Sequence, residues 1–460
     1  ESVEWQDKSL GYITSQAYTV NIDESKPYDQ WMLSGFQDNA NFITNSNNLR
    51  NNWTLTVNGD GAYNYMAPNR QYLIVSTQLG NVRKVLIDQK GNVIRRMRID
   101  PVGTNKDSYT FINPLLVSQN NLFLPIGKTI GIYKDIDKLE VVNSSSKLKT
   151  GWVYLNDTIT TLPYVFRGDT IQPSITSIAI SNTLPTILYI GTNNKEIYRV
   201  INPLSVNARM QKCATARLPT GSGAYVSDIK VDPDSAATVF LCYSNYGVTS
   251  LYYSSDTGNT WYMVGGNLES ASNFSEADPS VRSVAILKNK DGKRTYFAGT
   301  SIGLYSTDTL VFGISNFSNK TVWKQEAVEK IGAGIVTDLK TRNADGYIAV
   351  ATHGYGLFDS YYFTNQVPIS FLNGNSLDIY PNPANNEINY TFAHTEAGDV
   401  HAEIVNIMGQ KVMTGINEYF NTGTFTMKIN ISHLSSGHYF FNLYNGNKKP
   451  IVKHFVVSKF

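Results

Sequence analysis

The chain has 460 residues, of which 42% are hydrophobic and 17% charged, and its formal net charge is +2. This length allows two or three domains with sizeable cores. The near-neutral charge gives no electrostatic reason to expect nucleic acid as a partner, and the many tyrosines and glycines favour an all-β chain with frequent turns.

Residues 1–363 contain a unit that recurs seven times. Each copy has an alternating strand, a second apolar strand that usually ends near a glycine, and a third strand. The second strands begin near residues 31, 72, 122, 187, 239, 295 and 347, a period typical of propeller blades. We therefore predict a seven-bladed β-propeller. Residues 2–6 are predicted to supply the outer strand that the last blade lacks and so to close the ring.

Tryptophan supports this count, because five of the six tryptophans fall where an outermost strand is expected. A large aromatic side chain there can pack against the neighbouring blade. The two cysteines, Cys213 and Cys242, are too few for a disulfide framework. They either pair between blades or are small buried side chains.

The predicted turn before the outer strand of the fifth copy reads Ser254-Ser-Asp256-Thr-Gly258-Asn-Thr-Trp261. A carboxylate here can accept backbone N–H bonds, the glycine tolerates positive φ and the tryptophan can anchor the turn. The segment resembles the Asp-box, or BNR repeat, of sialidases, sortilin-type receptors and xyloglucanases. That resemblance implies a structural role for Ser254, Asp256, Gly258 and Trp261. A degenerate copy is expected from Ser306 and Asp308 to Trp323.

A polar pocket is predicted on one face of the ring. Loops that join one blade to the next, or a second strand to a third, lie on what we call the upper face. Loops that join first to second and third to fourth strands lie on the lower face. Three segments should meet in one sector of the upper face, and they contribute the predicted pocket residues Gln37, Asp38, Asn39, Asp60 and His353.

These segments resemble those of secreted sortilin-like or glycosyl-hydrolase-like Asp-box propellers, with Ser34 and Ala40 departing from the pattern. The resemblance implies a ligand-binding face whose partner is an extracellular glycan or a protein. Alternatively, both aspartates simply satisfy backbone N–H groups in turns. Asp38 and Asp60 are weak catalytic candidates, since an inverting glycosidase needs carboxylates about 6.5–9.5 Å apart. No metal, cofactor or nucleophile motif is found, so we expect no cofactor and lean against an enzyme.

The composition changes after residue 363. Residues 364–376 are predicted to form a linker, and residues 377–460 alternate as about seven short strands, which suits a small Ig-like β-sandwich. The features that stand out are Tyr-Pro381-Asn382-Pro383, the turn at Gly409, Gly437 followed by Tyr439, and a terminal strand that ends at Lys459.

In this order, these features resemble the type A C-terminal sorting domain of type IX secretion cargo in Bacteroidota. The family implies transit through the periplasm, recognition by the outer-membrane translocon and its barrel shuttle protein, and processing by a surface sortase. Loose Asp-Ser/Thr tripeptides resemble an O-glycosylation sequon of such proteins, at Thr158, Thr170, Ser235 and Thr309.

The sequence therefore predicts a secreted or cell-surface cargo protein whose propeller binds a glycan or protein, in adhesion or gliding motility. Two alternatives stay open. One is a secreted glycoside hydrolase of the xyloglucanase-like propeller type, and the other is a scaffold within a larger surface protein.

Overall fold

Short strands rich in Val, Ile, Tyr and Thr make up most of the folded chain, as expected for residues that fit a pleated, half-buried surface. The computed structural model describes residues 15–45, 52–269, 278–315, 318–362, 377–394, 397–421, 423–446 and 450–459. The predicted closing strand at 2–6 and the predicted linker at 364–376 lie outside these ranges. The chain divides into two compact units, Glu1–Tyr362 and Phe363–Phe460.

Within the described ranges there is no α-helix, and no helix there is long and apolar enough to span a membrane. The four 3-10 helices each have a single turn: Pro68–Arg70, Lys106–Ser108, Ile136–Lys138 and Gly266–Leu268. The fold is therefore all-β, as predicted.

The described part of the first unit contains seven antiparallel sheets of three or four strands, in chain order. Sheet 1 has β1–β4: Ala17–Ile22, Trp31–Phe36, Asn41–Asn45 and Thr54–Val57. Sheet 2 has β5–β8: Gly61–Met66, Leu73–Thr77, Asn81–Ile87 and Val93–Arg98. Sheet 3 has β9–β12: Leu116–Ser118, Asn121–Ile126, Thr129–Tyr133 and Trp152–Tyr154. A separate hairpin that the sequence did not predict then follows: β13, Tyr164–Phe166, and β14, Asp169–Ile171.

Sheet 4 has β15–β18: Ile175–Ile180, Ile187–Thr192, Ile197–Ile201 and Met210–Lys212. Sheet 5 has β19–β22: Val226–Asp232, Ser235–Tyr243, Leu251–Ser254 and Tyr262–Met263. Sheet 6 has β23–β26: Val281–Lys288, Arg294–Thr300, Gly303–Thr307 and Lys324–Glu326. Sheet 7 has three described strands, β27–β29: Ile335–Arg342, Tyr347–His353 and Leu357–Tyr361.

The first strands of these sheets form a closed ring. Each of β1, β5, β9, β15, β19, β23 and β27 contacts the next in this order, and β27 contacts β1. Residues from all seven sheets line a central cavity of about 410 Å³. This arrangement is consistent with a β-propeller.

The hydrophobic core is divided into clusters that each join two neighbouring sheets. The cluster between sheets 7 and 1, for example, contains Val20, Ile22 and Tyr347. Each fully buried large apolar side chain contributes roughly 1.5–3 kcal/mol, so these clusters supply most of the stability. The glycine near the end of a second strand makes room for them, because a Cβ at Gly191 or Gly299 would collide with a valine in the first two residues of the next sheet.

Three tryptophans fasten the outer strands to the neighbouring sheet. Their indole N–H groups donate to a backbone carbonyl just after the outer strand of the preceding sheet: Trp152 to Ile99 at 2.8 Å, Trp261 to Ala214 at 3.0 Å and Trp323 to Val264 at 2.9 Å. The predicted packing between sheets is thereby confirmed for these three tryptophans. Trp53, by contrast, is 40% exposed and packs against Phe36 of its own sheet, and Trp5 lies outside the described residues.

Polar side chains link the first strands to one another. Six of the seven first strands have an irregular register near their start, as in a β-bulge, and a bulge re-aims the side chains beside it. The polar residue after the bulge then accepts the backbone N–H of the next first strand: Asp228 from Val284 at 3.0 Å, Ser283 from Leu339 at 3.1 Å and Asp338 from Val20 at 3.0 Å. The last of these bonds joins sheet 7 to sheet 1.

A buried ion pair strengthens the same junction. The side chains of Arg342 and Asp345 are both fully buried and lie 2.8 Å apart. Asp345 also accepts the Tyr28 N–H at 2.5 Å, and Arg342 donates to the Asp23 carbonyl at 3.1 Å. Sheets 7 and 1 are therefore joined at the lower face, irrespective of the predicted closing strand.

The described part of the second unit has two antiparallel sheets. One contains β30, β31 and β34: Leu377–Tyr380, Glu387–His394 and Gly423–Asn430. The other contains β32, β33, β35 and β36: Gly398–Asn406, Lys411–Phe420, Gly437–Asn445 and Ile451–Val457. Both sheets contribute to one core that includes Ile388, Phe392, Ile404 and Phe441, so the unit is a small β-sandwich.

Replacing Asp345 by alanine should lower the free energy of unfolding of the first unit by about 3–5 kcal/mol, because it leaves the Arg342 charge buried without its partner. Urea unfolding followed by tryptophan fluorescence reports on this unit alone, since all six tryptophans lie in it. The exposed Asp291→Ala is the matched control and should change stability by less than about 0.5 kcal/mol. Equal effects of the two variants would contradict this account of the junction.

Candidate functional site

Two glycines bring the predicted upper-face segments together. Gly35 is the next-to-last residue of the second strand of sheet 1, and Gly61 begins the first strand of sheet 2. A Cβ added to Gly35 would lie 2.6 Å from the Gly61 carbonyl carbon, and one added to Gly61 would lie 2.5 Å from the Gly35 Cα. Only glycine permits this backbone contact, which places the residues that follow Gly35 beside those that precede Gly61.

Asp38 and Asp60 meet as a result of this contact. The Asp38 N–H donates to the Asp60 carboxylate at 2.6 Å, and Asp38 has a φ of 53°. Hydrogen bonding to the Asp60 carboxyl, and repulsion by its charge, raise the pKa of Asp38. Nearby, burial and then the charges of Asp60 and Asp38 raise the pKa of Tyr18. The Asp60 carboxylate therefore lies against the Asp38 backbone, close enough for its charge to disfavour ionisation of the Asp38 carboxyl group.

Gln37, beside Asp38 after the second strand of sheet 1, and His353 in sheet 7 both contact the backbone of Gln16. The Gln37 N–H donates to the Gln16 carbonyl at 2.9 Å, and Gln16 also forms a β-bridge with His353. Asn39 is exposed in the same turn as Asp38, and the following Ala40 has a φ of 65°. Glycine is the usual residue at that position in the resembling family, and it adopts such a φ without strain.

The Asp38 and Asp60 carboxyl groups can offer several acceptor oxygens to hydroxyl groups of a ligand. Across the described residues, no group of three or more His, Cys, Asp and Glu side chains could hold a metal ion.

The turn from Ser254 to Trp261 is held by its own side chains. The Asp256 carboxylate accepts the N–H groups of Asn259 at 3.1 Å and Thr260 at 2.8 Å, and the Ser254 hydroxyl donates to it at 2.8 Å. Gly258 has a φ of 82°, and Trp261 is 1% exposed. Burial alone would raise the pKa of Asp256, but these hydrogen bonds lower it.

The degenerate copy differs from this turn. Asp308 accepts the Thr295 hydroxyl at 2.6 Å and pairs with Lys293 at 3.1 Å. Among the described residues it accepts no backbone N–H bond. The inserted residues between Asp308 and Trp323 remove the short turn that would present such N–H groups.

The cysteines are free and buried in separate clusters. Burial raises the pKa of Cys213 to about 12 and raises that of Cys242 further. Of the two readings of the sequence, the structure supports two small buried side chains rather than a disulfide.

The sorting-motif residues of the second unit gather at one end of the β-sandwich. The sheet register pairs Asn406, just before the Gly409 turn, with Tyr439, and it pairs Gly437 with Val457. Ala384, which follows Pro383, forms a β-bridge with the same Val457. We call this end, formed by residues 380–386, 406–410, 435–439 and 457–459, the motif end.

Hydrogen bonds join the segments of the motif end. The Asn382 side chain accepts the Val456 N–H at 2.9 Å, and the Tyr439 hydroxyl donates to the Ser435 carbonyl at 2.9 Å. The Lys459 ammonium donates to the carbonyls of Asn385 and Ile431. Gly409 has a φ of 76°. These contacts give each of these residues a structural role. Binding roles for the same residues remain a prediction.

The motif end also exposes apolar side chains that the sequence reasoning did not single out. Ile407 is 72% exposed, Met408 73% and Tyr380 49%. The signal in the sequence is two apolar residues inside a turn closed by glycine, where polar residues are usual.

Three of the four predicted O-glycosylation residues are exposed: Thr158, Thr170 and Thr309. Ser235 is half-buried, and its hydroxyl accepts a hydrogen bond from Thr238 at 3.0 Å. The structure therefore favours the three threonines as acceptors.

Residues 378–458 match the family of secretion system C-terminal sorting domains. This match indicates a cargo protein of the type IX secretion system, exported to the cell surface or the extracellular space. A search of curated proteins finds no match to the chain. Among solved structures, YCF48 from Cyanidioschyzon merolae is similar, with 10% identity over 75% of this chain and 96% of that chain and a TM-score of 0.49.

We expect Asp256→Ala to lower the free energy of unfolding of the first unit by about 1–3 kcal/mol, because two backbone N–H groups of the turn lose their acceptor. Asp308→Ala is the matched control, since its side chain is 46% exposed and it accepts no backbone bond within the described residues. Urea unfolding by tryptophan fluorescence compares the two. A loss for Asp256→Ala no larger than that for Asp308→Ala would contradict this account of the turn.

Proposed function

We propose that the chain is a surface or extracellular cargo protein whose second unit directs it through the periplasm to the outer-membrane translocon. The observation that supports this most strongly is the match of residues 378–458 to secretion sorting domains. The gathering of the motif residues at one end of a folded domain adds to it, because a partner can contact them together only there.

The motif end is proposed to bind the barrel shuttle protein of the translocon. Interface centres are enriched in large apolar and aromatic anchors, and Tyr380, Ile407 and Met408 supply three exposed ones. We also propose that a surface sortase acts on the predicted linker at residues 364–376. The second unit is proposed to be Ig-like.

Placing negative charges at the motif end should block export. In cells with an intact translocon, we expect Ile407→Asp with Met408→Asp to lower the amount of protein outside the cell by about tenfold or more, as for loss of an interface hot spot. Val452→Asp is the control, because Val452 is 54% exposed and pairs with Asn442 away from the motif end. Immunoblots of cell and medium fractions measure both. Normal export of the double variant, or equal loss in both, would contradict the proposal.

For the first unit we propose a seven-bladed propeller of the Asp-box type, closed by residues 2–6, that binds a glycan or protein in adhesion or gliding motility. The seven sheets in a closed ring support this count. The proposed ligand face is the upper-face sector with Gln37, Asp38, Asn39, Asp60 and His353. Two adjacent carboxyl groups there offer acceptors to the hydroxyl groups of a ligand, and a glycoside hydrolase is the alternative function.

Native gels that contain xyloglucan separate the two alternatives. The full chain is expected to be retarded without releasing reducing ends, and Asp38→Asn with Asp60→Asn should migrate closer to its position in gels without polysaccharide. Release of reducing ends that is lost in the double variant would instead establish the hydrolase. An unretarded full chain would leave a protein ligand as the proposed partner of this face.

A further inference from the structure

The central cavity opens toward the opposite end of the ring from the predicted ligand face. Its lining comes from the ends of the first strands and the loops that follow them, including Asp23, Asn182, Pro233 and Asn343. These loops belong to the lower face. None of the five predicted upper-face residues lines it. At about 410 Å³, the cavity has the size of ordinary small-molecule sites, roughly 300–1,000 Å³.

Charges at the inner end of the cavity balance one another. Lys230 lies 3.1 Å from Asp228, and Asp338 and Lys340 follow at neighbouring positions of β27. Burial raises the pKa of Asp338, while Lys340 and Lys230 oppose this shift. Two lysines thus face two carboxylates at the inner end of the cavity. The other two carboxylates of the lining, Asp23 and Glu24, lie in the loop that follows β1 at its mouth, where Asp23 accepts the Ser25 and Asn69 N–H groups and Glu24 is exposed. A ligand of either charge would leave one pair of like charges uncompensated in a partly desolvated site.

Several hydrogen-bonding groups of the lining have no protein partner. Within the described chain, the Lys340 ammonium and the hydroxyl groups of Tyr63 and Tyr65 make no hydrogen bond or ion pair, although all three residues line the cavity. Asn21 uses its oxygen to accept the Met66 N–H at 2.8 Å, which leaves its side-chain amide free to donate. These groups can serve hydroxyl groups of a ligand.

Apolar surface lies between these polar groups. Ile178, Ile180 and Val231 are half-buried and line the wall, and the tyrosine rings add aromatic faces with a polar tip. A ligand that fits must be uncharged, carry several hydroxyl groups and present apolar C–H faces. A pyranose ring meets all three conditions.

We propose that the central cavity binds an uncharged carbohydrate of one or two pyranose rings, with Lys340, Tyr63, Tyr65 and Asn21 as hydrogen-bonding residues. This inference rests on the proposed glycan-binding role of the first unit, and it assigns a second site that is separate from the Asp38–Asp60 pair.

Saturation-transfer NMR on the full chain tests this site with glucose, galactose, N-acetylglucosamine and cellobiose as neutral probes, and with glucuronic acid and glucosamine as charged ones. At least one neutral sugar should bind with a Kd of about 1 mM or tighter, and the charged sugars should bind more weakly. Lys340→Met should weaken binding about tenfold or more. Tyr65→Phe should weaken it less, and Lys324→Met on the exposed outer strand β26 should not.

Two results would overturn the inference: no binding of any neutral sugar, or binding that neither Lys340→Met nor Tyr65→Phe weakens. The double variant Asp38→Asn with Asp60→Asn distinguishes the two proposals. If sugar binding is lost only in that variant, the ligand sits on the upper face. The glycan-binding proposal then survives while the cavity site fails.

Discussion

The first unit depends on a hydrogen bond that regular sheet pairing cannot supply. First strands of neighbouring sheets approach one another without a shared ladder, so a side chain must accept the backbone N–H that faces the gap. Asp228, Ser283 and Asp338 do so at equivalent positions after a bulge. The hydrophobic clusters supply more free energy, but these directional bonds fix how each sheet is rotated against the next, because a buried N–H without a partner is costly.

The same residues shape the centre of the ring. A bulge that turns a polar side chain toward the next strand also turns its neighbours toward the axis, which accounts for the charged and hydroxyl groups around the cavity. At the upper face, by contrast, the Gly35–Gly61 contact decides which residues meet. Two simple backbone devices, a bulge and a glycine pair, therefore place the polar groups of both candidate sites in the first unit.

The repeated sheets of the first unit, the Trp261 turn and the sorting domain were predictable from the sequence. Repeat spacing, the turn motif and the terminal motifs are all local patterns. The meeting of Asp38 with Asp60 also followed from loop assignment alone. The cavity residues Lys230, Asp338 and Lys340 were not predicted, since their significance depends on which way a bulged strand turns each side chain. The hairpin Tyr164–Ile171 was also missed, because it interrupts the repeat and has no copy elsewhere.

The motif end of the second unit has a consequence for how cargo is selected. Pro381, Gly409, Gly437 and Lys459 are far apart in the chain, and only the completed sandwich brings them together. An unfolded or half-made domain presents the same residues scattered along a coil. A receptor that must contact all of them at once therefore distinguishes the folded domain from an unfolded chain of the same sequence. Such a readout would act as a quality checkpoint and withhold incompletely folded molecules from the exit pore.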